Sequence, residues 1–318
     1  MRNPHLHLAA IFVAALAAAP IATATPLDTK GIPADAQGIV HIDFAAYAKS
    51  AIGAMLHQLD GYETSKAFKT QFGIDIFNDL DSATIGYGKY DLKIGGSPVF
   101  EVIRGNFSIE KKIMAAAKQA NALVTTEGGY TFIENLHMEI ADVVVPIAKG
   151  SSAKQVFCFI DARTLLVAYN KPDLLKLIAA YTGQAKSYVP PSALAKQTAV
   201  LIGYHSDFSE DIPNDAGEWE THKAKSIYFS ITEDGQKLQA RVDADFASPD
   251  EAKQIQGALT GYAQKRVANA GHQQSEESQT LKRILDGLKI TINDATLEIT
   301  LIAPISDLKK FIQSLRGG

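Results

Sequence analysis

The sequence holds a single cysteine in 318 residues, so no internal disulfide can staple the chain and its stability must come from burial. Cys158 lies within Val156-Phe157-Cys158-Phe159-Ile160, neighbours that suit an inert buried thiol and not an activated nucleophile. Tryptophan also occurs once, at Trp219. There is no Gly-x-Ser-x-Gly elbow, no His-Glu-x-x-His pair, no Gly-x-x-x-x-Gly-Lys loop and no Gly-x-Gly-x-x-Gly turn. The local signatures of α/β-hydrolases, zincins and nucleotide-binding folds are therefore missing, and no motif asks for a cofactor. A surplus of positive charge is missing too: 31 Lys+Arg stand against 35 Asp+Glu, which argues against a nucleic-acid partner.

Long apolar runs are confined to the N-terminus. Arg2 supplies a short positive region, Leu6 to Ala19 an apolar stretch, and Ala22-Thr23-Ala24 a small-residue cleavage site. This reads as a signal peptide over residues 1–24, with the mature chain starting at Thr25. The stretch is shorter than the roughly 20 residues of a membrane span, and no second one follows. Loss of Arg2 leaves 30 basic against 35 acidic side chains, a formal charge of −5. A mature chain of about 290 residues has room for a large core or two. The expected compartment is the bacterial periplasm or the exterior, with no transmembrane segment once the leader is gone.

What is present is repetition. His41-Ile42-Asp43-Phe44 closes the apolar run Gly38-Ile39-Val40, and His205-Ser206-Asp207-Phe208 closes Val200 to Tyr204. Phe157 to Ile178 runs strand, Asp161-Ala162, strand, Pro172, apolar helix. Ile290 to Ile312 runs strand, Asp294-Ala295, strand, Pro304, apolar helix. These matches predict an internal duplication, with an N-terminal half over residues 25–188 and a C-terminal half over 189–318. The boundary falls in Gly183 to Ser192, which includes Pro190-Pro191.

Periodicity predicts helices from Phe44 to about Leu59, Glu63 to Phe72, Ile109 to Gln119 (capped by Ser108) and Pro172 to Tyr181. Strands are expected at Ile39 to Asp43, Ala83 to Lys89, Pro98 to Arg104, Tyr130 to Ile133, Asp142 to Ile147, Gln155 to Ile160 and Thr164 to Tyr169. In the second half a strand from Ala199 to His205 leads into an acidic loop, and Ser226 to Thr232 and Leu238 to Phe246 form a hairpin around an Asp-Gly turn. Ser248-Pro249-Asp250-Glu251 is a capping box that opens a helix to about Val267. A polar stretch from Asn269 to Gln279 reads as mobile, and Leu281 to Leu288 as helical. The strands Lys289 to Ile292 and Thr296 to Ile302 and a helix from Ile305 close the chain. Short turns between strands cannot join parallel neighbours. The expected class is α+β, internally duplicated, with mainly antiparallel sheets, β-β-α units and helices packed on one face.

Residues two apart on a strand share a face, so each His-x-Asp presents an imidazole and a carboxylate together. His41, Asp43, His205 and Asp207 are thus the candidate metal ligands, and converging strand ends would be needed to bring them into one site. The simpler account is a polar pair at each of two equivalent strand-to-helix corners, anchored by Phe44 and Phe208. Asp207 to Glu220 places six carboxylates around Trp219 without the ordered spacing of a calcium loop. Trp219, Glu210 and Asp211 are candidate partner contacts, although Trp219 also suits packing against its own domain. Asp75, Asp79 and Asp81 suit turn and cap duty.

Gly38 to Phe44, the strand–strand–helix from Ser82 to Gln119 and the repeated half-endings resemble uncharacterised exported bacterial proteins built from duplicated β-β-α modules. The resemblance implies an architecture and an exported location and brings no activity with it. The first functional expectation is an exported, non-enzymatic binding protein of the cell envelope, whose partner is a hydrophobic ligand or an envelope protein. The alternative is a metal-dependent hydrolase using the paired His-x-Asp strand ends.

Overall fold

The computed structural model describes residues 27–51, 53–54, 66, 69–70, 72–88, 99–106, 108–136, 155–191, 199–213, 219–272 and 275–317. The leader, the strand expected at Asp142 to Ile147 and most of the helix expected from Glu63 lie outside the described residues. The chain forms two compact units. One is built mainly from Asp60–Val200 together with the first described strand and helix, the other mainly from Leu201–Gly318.

The N-terminal unit runs β1 (Gly38–Asp43), α1 (Phe44–Ala48), α2 (Ile76–Asp79), β2 (Leu80–Tyr87), β3 (Val99–Gly105), α3 (Ile109–Gln119), β4 (Leu123–Glu127), β5 (Tyr130–Leu136), β6 (Gln155–Asp161), β7 (Thr164–Ala168) and α4 (Lys171–Tyr181). Its strand order is β1-β2-β3-β7-β6-β5-β4, antiparallel throughout. The C-terminal unit runs β8 (Leu201–Pro213), β9 (Trp219–Asp234), β10 (Lys237–Asp245), α5 (Pro249–His272), α6 (Glu276–Asp286), β11 (Leu288–Asn293), β12 (Thr296–Pro304) and α7 (Ile305–Gly317). Its order is β8-β9-β10-β12-β11, again antiparallel. Each unit is thus a three-strand meander onto whose third strand a later hairpin folds back, second strand first, before a helix ends the unit. The β4–β5 hairpin is an insertion in the first copy. The fold is α+β and antiparallel, with the two halves built on one plan.

Burial follows from which faces are covered. In β12, Leu297, Ile299, Leu301 and Ala303 are buried, whereas Thr296, Glu298, Thr300 and Ile302 between them are not. Leu297 and Ile299 of that row pack with Ala252 and Ile255 of α5 and with Phe246, so that sheet has one helix-covered face and one wet face. In the N-terminal unit β1, β3 and β7 are buried almost continuously, and Phe132, Phe157, Ile85, Ile103 and Ile133 are sealed from solvent. Each such side chain contributes about 1.5–3 kcal/mol by leaving water.

Several local expectations change. The helix predicted from Phe44 to Leu59 breaks at Lys49, whose N–H turns back to the Ala46 and Tyr47 carbonyls, and residues 55–59 are not described. Ser108 makes no side-chain cap; its N–H and hydroxyl both donate to Asn106 Oδ1, at 2.9 and 2.5 Å. The capping box at the start of α5 forms in part: Glu251 N–H donates to Ser248 Oγ, while Glu251 Oε2 accepts from Ala247 N–H, one residue before the cap. The described residues of the stretch from Asn269 to Gln279, expected to be mobile, are mostly helical: α5 continues to His272, and Ser275 caps α6 by accepting from Ser278 N–H. The acidic stretch after His205 is also largely not a loop, because β8 runs on to Pro213 and pairs with β9 as far as Pro213↔Trp219. Strand β4 was not expected at all.

Gly287 joins α6 to β11 at a close approach of two backbones. A β-carbon there would drive into the Ile302 carbonyl, while the Ile302 N–H already donates to Gly287 O at 3.1 Å. Gly287→Ala is expected to cost about 1–3 kcal/mol by overpacking. Gly257, exposed on α5 with open space around it, should respond in the opposite sense, gaining about 0.5–1 kcal/mol on Gly257→Ala. Urea midpoints of the two variants check both signs.

Candidate functional site

Strand β1 delivers His41 and Asp43 to one face, as the period of two requires, and buries both, at 1% and 3% exposure. Asp43 is the N-cap of α1: its Oδ1 accepts from Ala46 N–H at 2.7 Å, while its own N–H donates to Val200 O. His41 lies opposite Thr84 of β2, and Nδ1 is 2.8 Å from Thr84 Oγ1. The Thr84 hydroxyl in turn donates to the Asp28 carbonyl at 3.1 Å. A hydroxyl has one proton to give, so Thr84 accepts from His41 Nδ1–H, and Nε2 carries the lone pair. Nε2 has no hydrogen-bond partner among the described residues. Burial pushes the His41 imidazole from its ordinary 6.5 down to about 4, and Arg104 adds to the shift while Asp43 and Asp28 oppose it.

The second pair is built differently. His205 faces Ile227 inside β8, half-buried, and burial again lowers its pKa while Ser206 and Asp207 oppose the shift. Asp207 is exposed and takes a left-handed backbone, φ 53°, after which pairing resumes at Phe208↔Ala224. No helix follows, so the two His-x-Asp-Phe copies are not equivalent strand-to-helix corners. Phe44 is buried beneath the first; the side chain of Phe208 is not described. His41 and Asp43 belong to one unit, His205 and Asp207 to the other. Among the described residues no group of three or more His, Cys, Asp or Glu side chains is placed to hold a metal ion. Glu210, Asp211 and Trp219 lie on the paired backbones of β8 and β9, and their side chains fall outside the described residues.

The remaining candidates resolve into structure. Asp79 accepts from Asp75 N–H and Asn106 Nδ2 and pairs with Lys112, the cap duty expected of that group. Cys158 is fully buried, and burial raises its thiol to about 11.

At the surface the structure adds what the sequence reading missed. Met114, Ala115 and Lys118 of α3, with Asn121, Ala122 and Val124, line an open apolar shelf. It adjoins β4, which among the described residues pairs only with β5 and stands last in the sheet order. Leu123 and Val124 are 50% and 42% exposed there. The signal for β4 was its β-branched run Val124-Thr125-Thr126 before Gly128-Gly129, both at positive φ as a hairpin turn needs.

No family model and no curated protein matches the chain. Among solved structures, crystal form III of TP0453 aligns over 91% of this chain and 98% of that one, with 10% identity and a TM-score of 0.50. In fold, the chain is similar to TP0453. Crystal form I of TP0453 aligns over the same shares at 10% identity and a TM-score of 0.48. At such identity the likeness to TP0453 concerns architecture alone. Among the described residues no helix is long and apolar enough to cross a membrane.

Two outcomes follow from this chemistry. Asp43→Ala should destabilise the chain by about 1–2 kcal/mol through the lost cap, read from thermal or urea unfolding. The Cys158 thiol should resist a thiol-reactive dye for hours in the native chain and react within minutes in guanidinium.

Proposed function

We propose that this chain is an exported, non-enzymatic binding protein of the bacterial envelope that takes an extended apolar segment of a partner protein along β4. The observation that carries the reading is that, among the described residues, nothing pairs with the outer edge of that strand. Edge strands are usually blunted by lysine, proline, bulges or a covering element, because their unpaired N–H and C=O groups template further pairing. Leu123-Val124-Thr125-Thr126-Glu127 has none of these residues, and its one charge, Glu127, is engaged by Lys171 at 2.6 Å. Added strands gain main-chain hydrogen bonds from such an edge, and side-chain pockets give the choice of partner. The shelf beside Val124 supplies an apolar pocket with Lys118 at its rim. The polar groups that could have supported chemistry serve the fold: Asp43 caps a helix, His41 bonds inward and Cys158 is sealed.

A photo-crosslinking residue at Thr126, in the chain expressed with its own leader, should give a discrete protein adduct. The same residue at Thr291 on β11 should give none, and Val124→Asp should reduce the Thr126 adduct several-fold. No adduct at Thr126, or equal adducts at both positions, overturns the reading. A small molecule retained in native mass spectra, without a Thr126 adduct, would replace the partner segment by a hydrophobic ligand.

A further inference from the structure

Residues 27–37 form a strap across the sheet face that carries His41. Ile32 is fully buried and packs so closely on Gly86 that a β-carbon there would stand 2.6 Å from Ile32 Cγ2. Gly31 lies against Val102, the cross-strand neighbour of Thr84, which puts the strap over the same row as His41. Its far side is tied to the segment after α4: Thr29 Oγ1 donates to Tyr188 O, and Tyr188 N–H donates to Ile32 O, each at 2.8 Å. Lys30 sits 4.3 Å from the centre of the Tyr181 ring. On the sheet side two polar ties hold Asp28. Its carbonyl receives the Thr84 proton, and its carboxylate pairs with Arg104 of β3 at 2.8 Å.

One of those ties runs through a titratable group. The chain of bonds His41 Nδ1–H to Thr84 to the Asp28 carbonyl is complete with a neutral imidazole. A second proton must go to Nε2, which is buried and has no acceptor among the described residues. The charges facing it are Asp43 on its own strand, Arg104 on β3 and Asp28 on the strap. Arg104 repels the imidazolium, and Asp43 is already committed to capping α1.

We propose that the strap is an acid-released latch: protonation of His41 favours a state in which residues 27–37 leave the sheet face, hydrate the imidazole and uncover the socket around Gly86, while the strands stay paired. The direction follows from proton binding. The closed state holds His41 well below its ordinary value, so it binds fewer protons than the open state. Closure is therefore fully favoured above about pH 6.5 and is lost progressively as the pH falls toward 4.

Hydrogen exchange of the full chain, corrected for the intrinsic rate at each pH, reads the latch directly. Between pH 7.5 and 5.0 the opening constant of strap amides should rise about 30-fold if His41 regains an ordinary pKa on opening. Amides of β7 should keep their protection over the same interval. His41→Gln, which cannot be charged, should remove the pH dependence of the strap. Flat strap protection, joint loss in the strap and β7, or an unchanged pH dependence in His41→Gln overturns the latch. If His41→Gln does not fold, the His41 ring resonances of the unaltered chain decide instead. Their titration must coincide with strap opening, and a titration that runs its course with the strap closed overturns the latch.

Discussion

Everything in each unit depends on a late hairpin returning to the third strand. β3 receives β7 from Phe100↔Ala168 onward, and β10 receives β12 from Lys237↔Pro304 onward. Without that return, one side of β3 and one side of β10 would present unpaired backbone groups beneath a helix layer, a cost that buried N–H and C=O groups almost never bear. The return is tolerant of what lies between, because closing a loop grows costlier only with the logarithm of its length. One copy therefore accommodates α3 and the β4–β5 hairpin in the interval, the other the long pair α5 and α6. Helices α4 and α7 follow their hairpins directly and pack back on the strands just laid down.

The hairpins themselves were legible in the sequence because their turns carry specific backbone demands. Gly235 and Asp294 take φ of 62° and 57° at the β9–β10 and β11–β12 turns, where Asp-Gly and Asp294-Ala295 separate the expected strands. The boundaries of α3, β6 and α4 were legible because apolar spacing switches period there, although the cap expected at Ser108 does not form. Asn170, by contrast, accepts from Asp173 N–H at 2.9 Å. What was not legible depends on partners distant in sequence. The acid-rich end of β8 reads as solvated, yet backbone pairing with β9 makes no demand for apolar side chains. The link from His41 through Thr84 to Asp28 exists only because β1 and β2 pair in the register that sets His41 opposite Thr84.

The repeated His-x-Asp-Phe shows how far a tetrapeptide shared at three of its four positions can be redirected by its sequel. After Asp43 come Phe44-Ala45-Ala46-Tyr47-Ala48, residues that hold a helical turn once an extended carboxylate caps it, at φ −95°. After Asp207 come Phe208-Ser209-Glu210-Asp211-Ile212-Pro213, with a long facing strand available to pair. The backbone there absorbs one left-handed residue, which aspartate tolerates better than most, and continues extended. The motif marks corresponding positions in the two copies without fixing the same geometry. A carboxylate in the first is buried as a cap, and in the second it is exposed.

The terminal strands β4 and β11 put the two copies under different constraints at their edges. β11 alternates, with Leu288, Ile290 and Ile292 turned to the core of its unit and Lys289, Thr291 and Asn293 exposed, so a lysine guards the start of that edge. β4 belongs to the inserted hairpin, has no counterpart in the other copy, and shows Leu123 and Val124 to solvent on its two faces. Its partner β5 is bound by the core, with Phe132 and Ile133 sealed from solvent, whereas the exposed positions of β4 could have been polar at little cost to the fold. An edge that exposes Leu123 and Val124 and carries a single, paired charge beside an apolar shelf bears an aggregation penalty that stability does not require. An occupant that covers it would remove that penalty, and this is the ground on which the binding role is proposed there and not among the buried histidines.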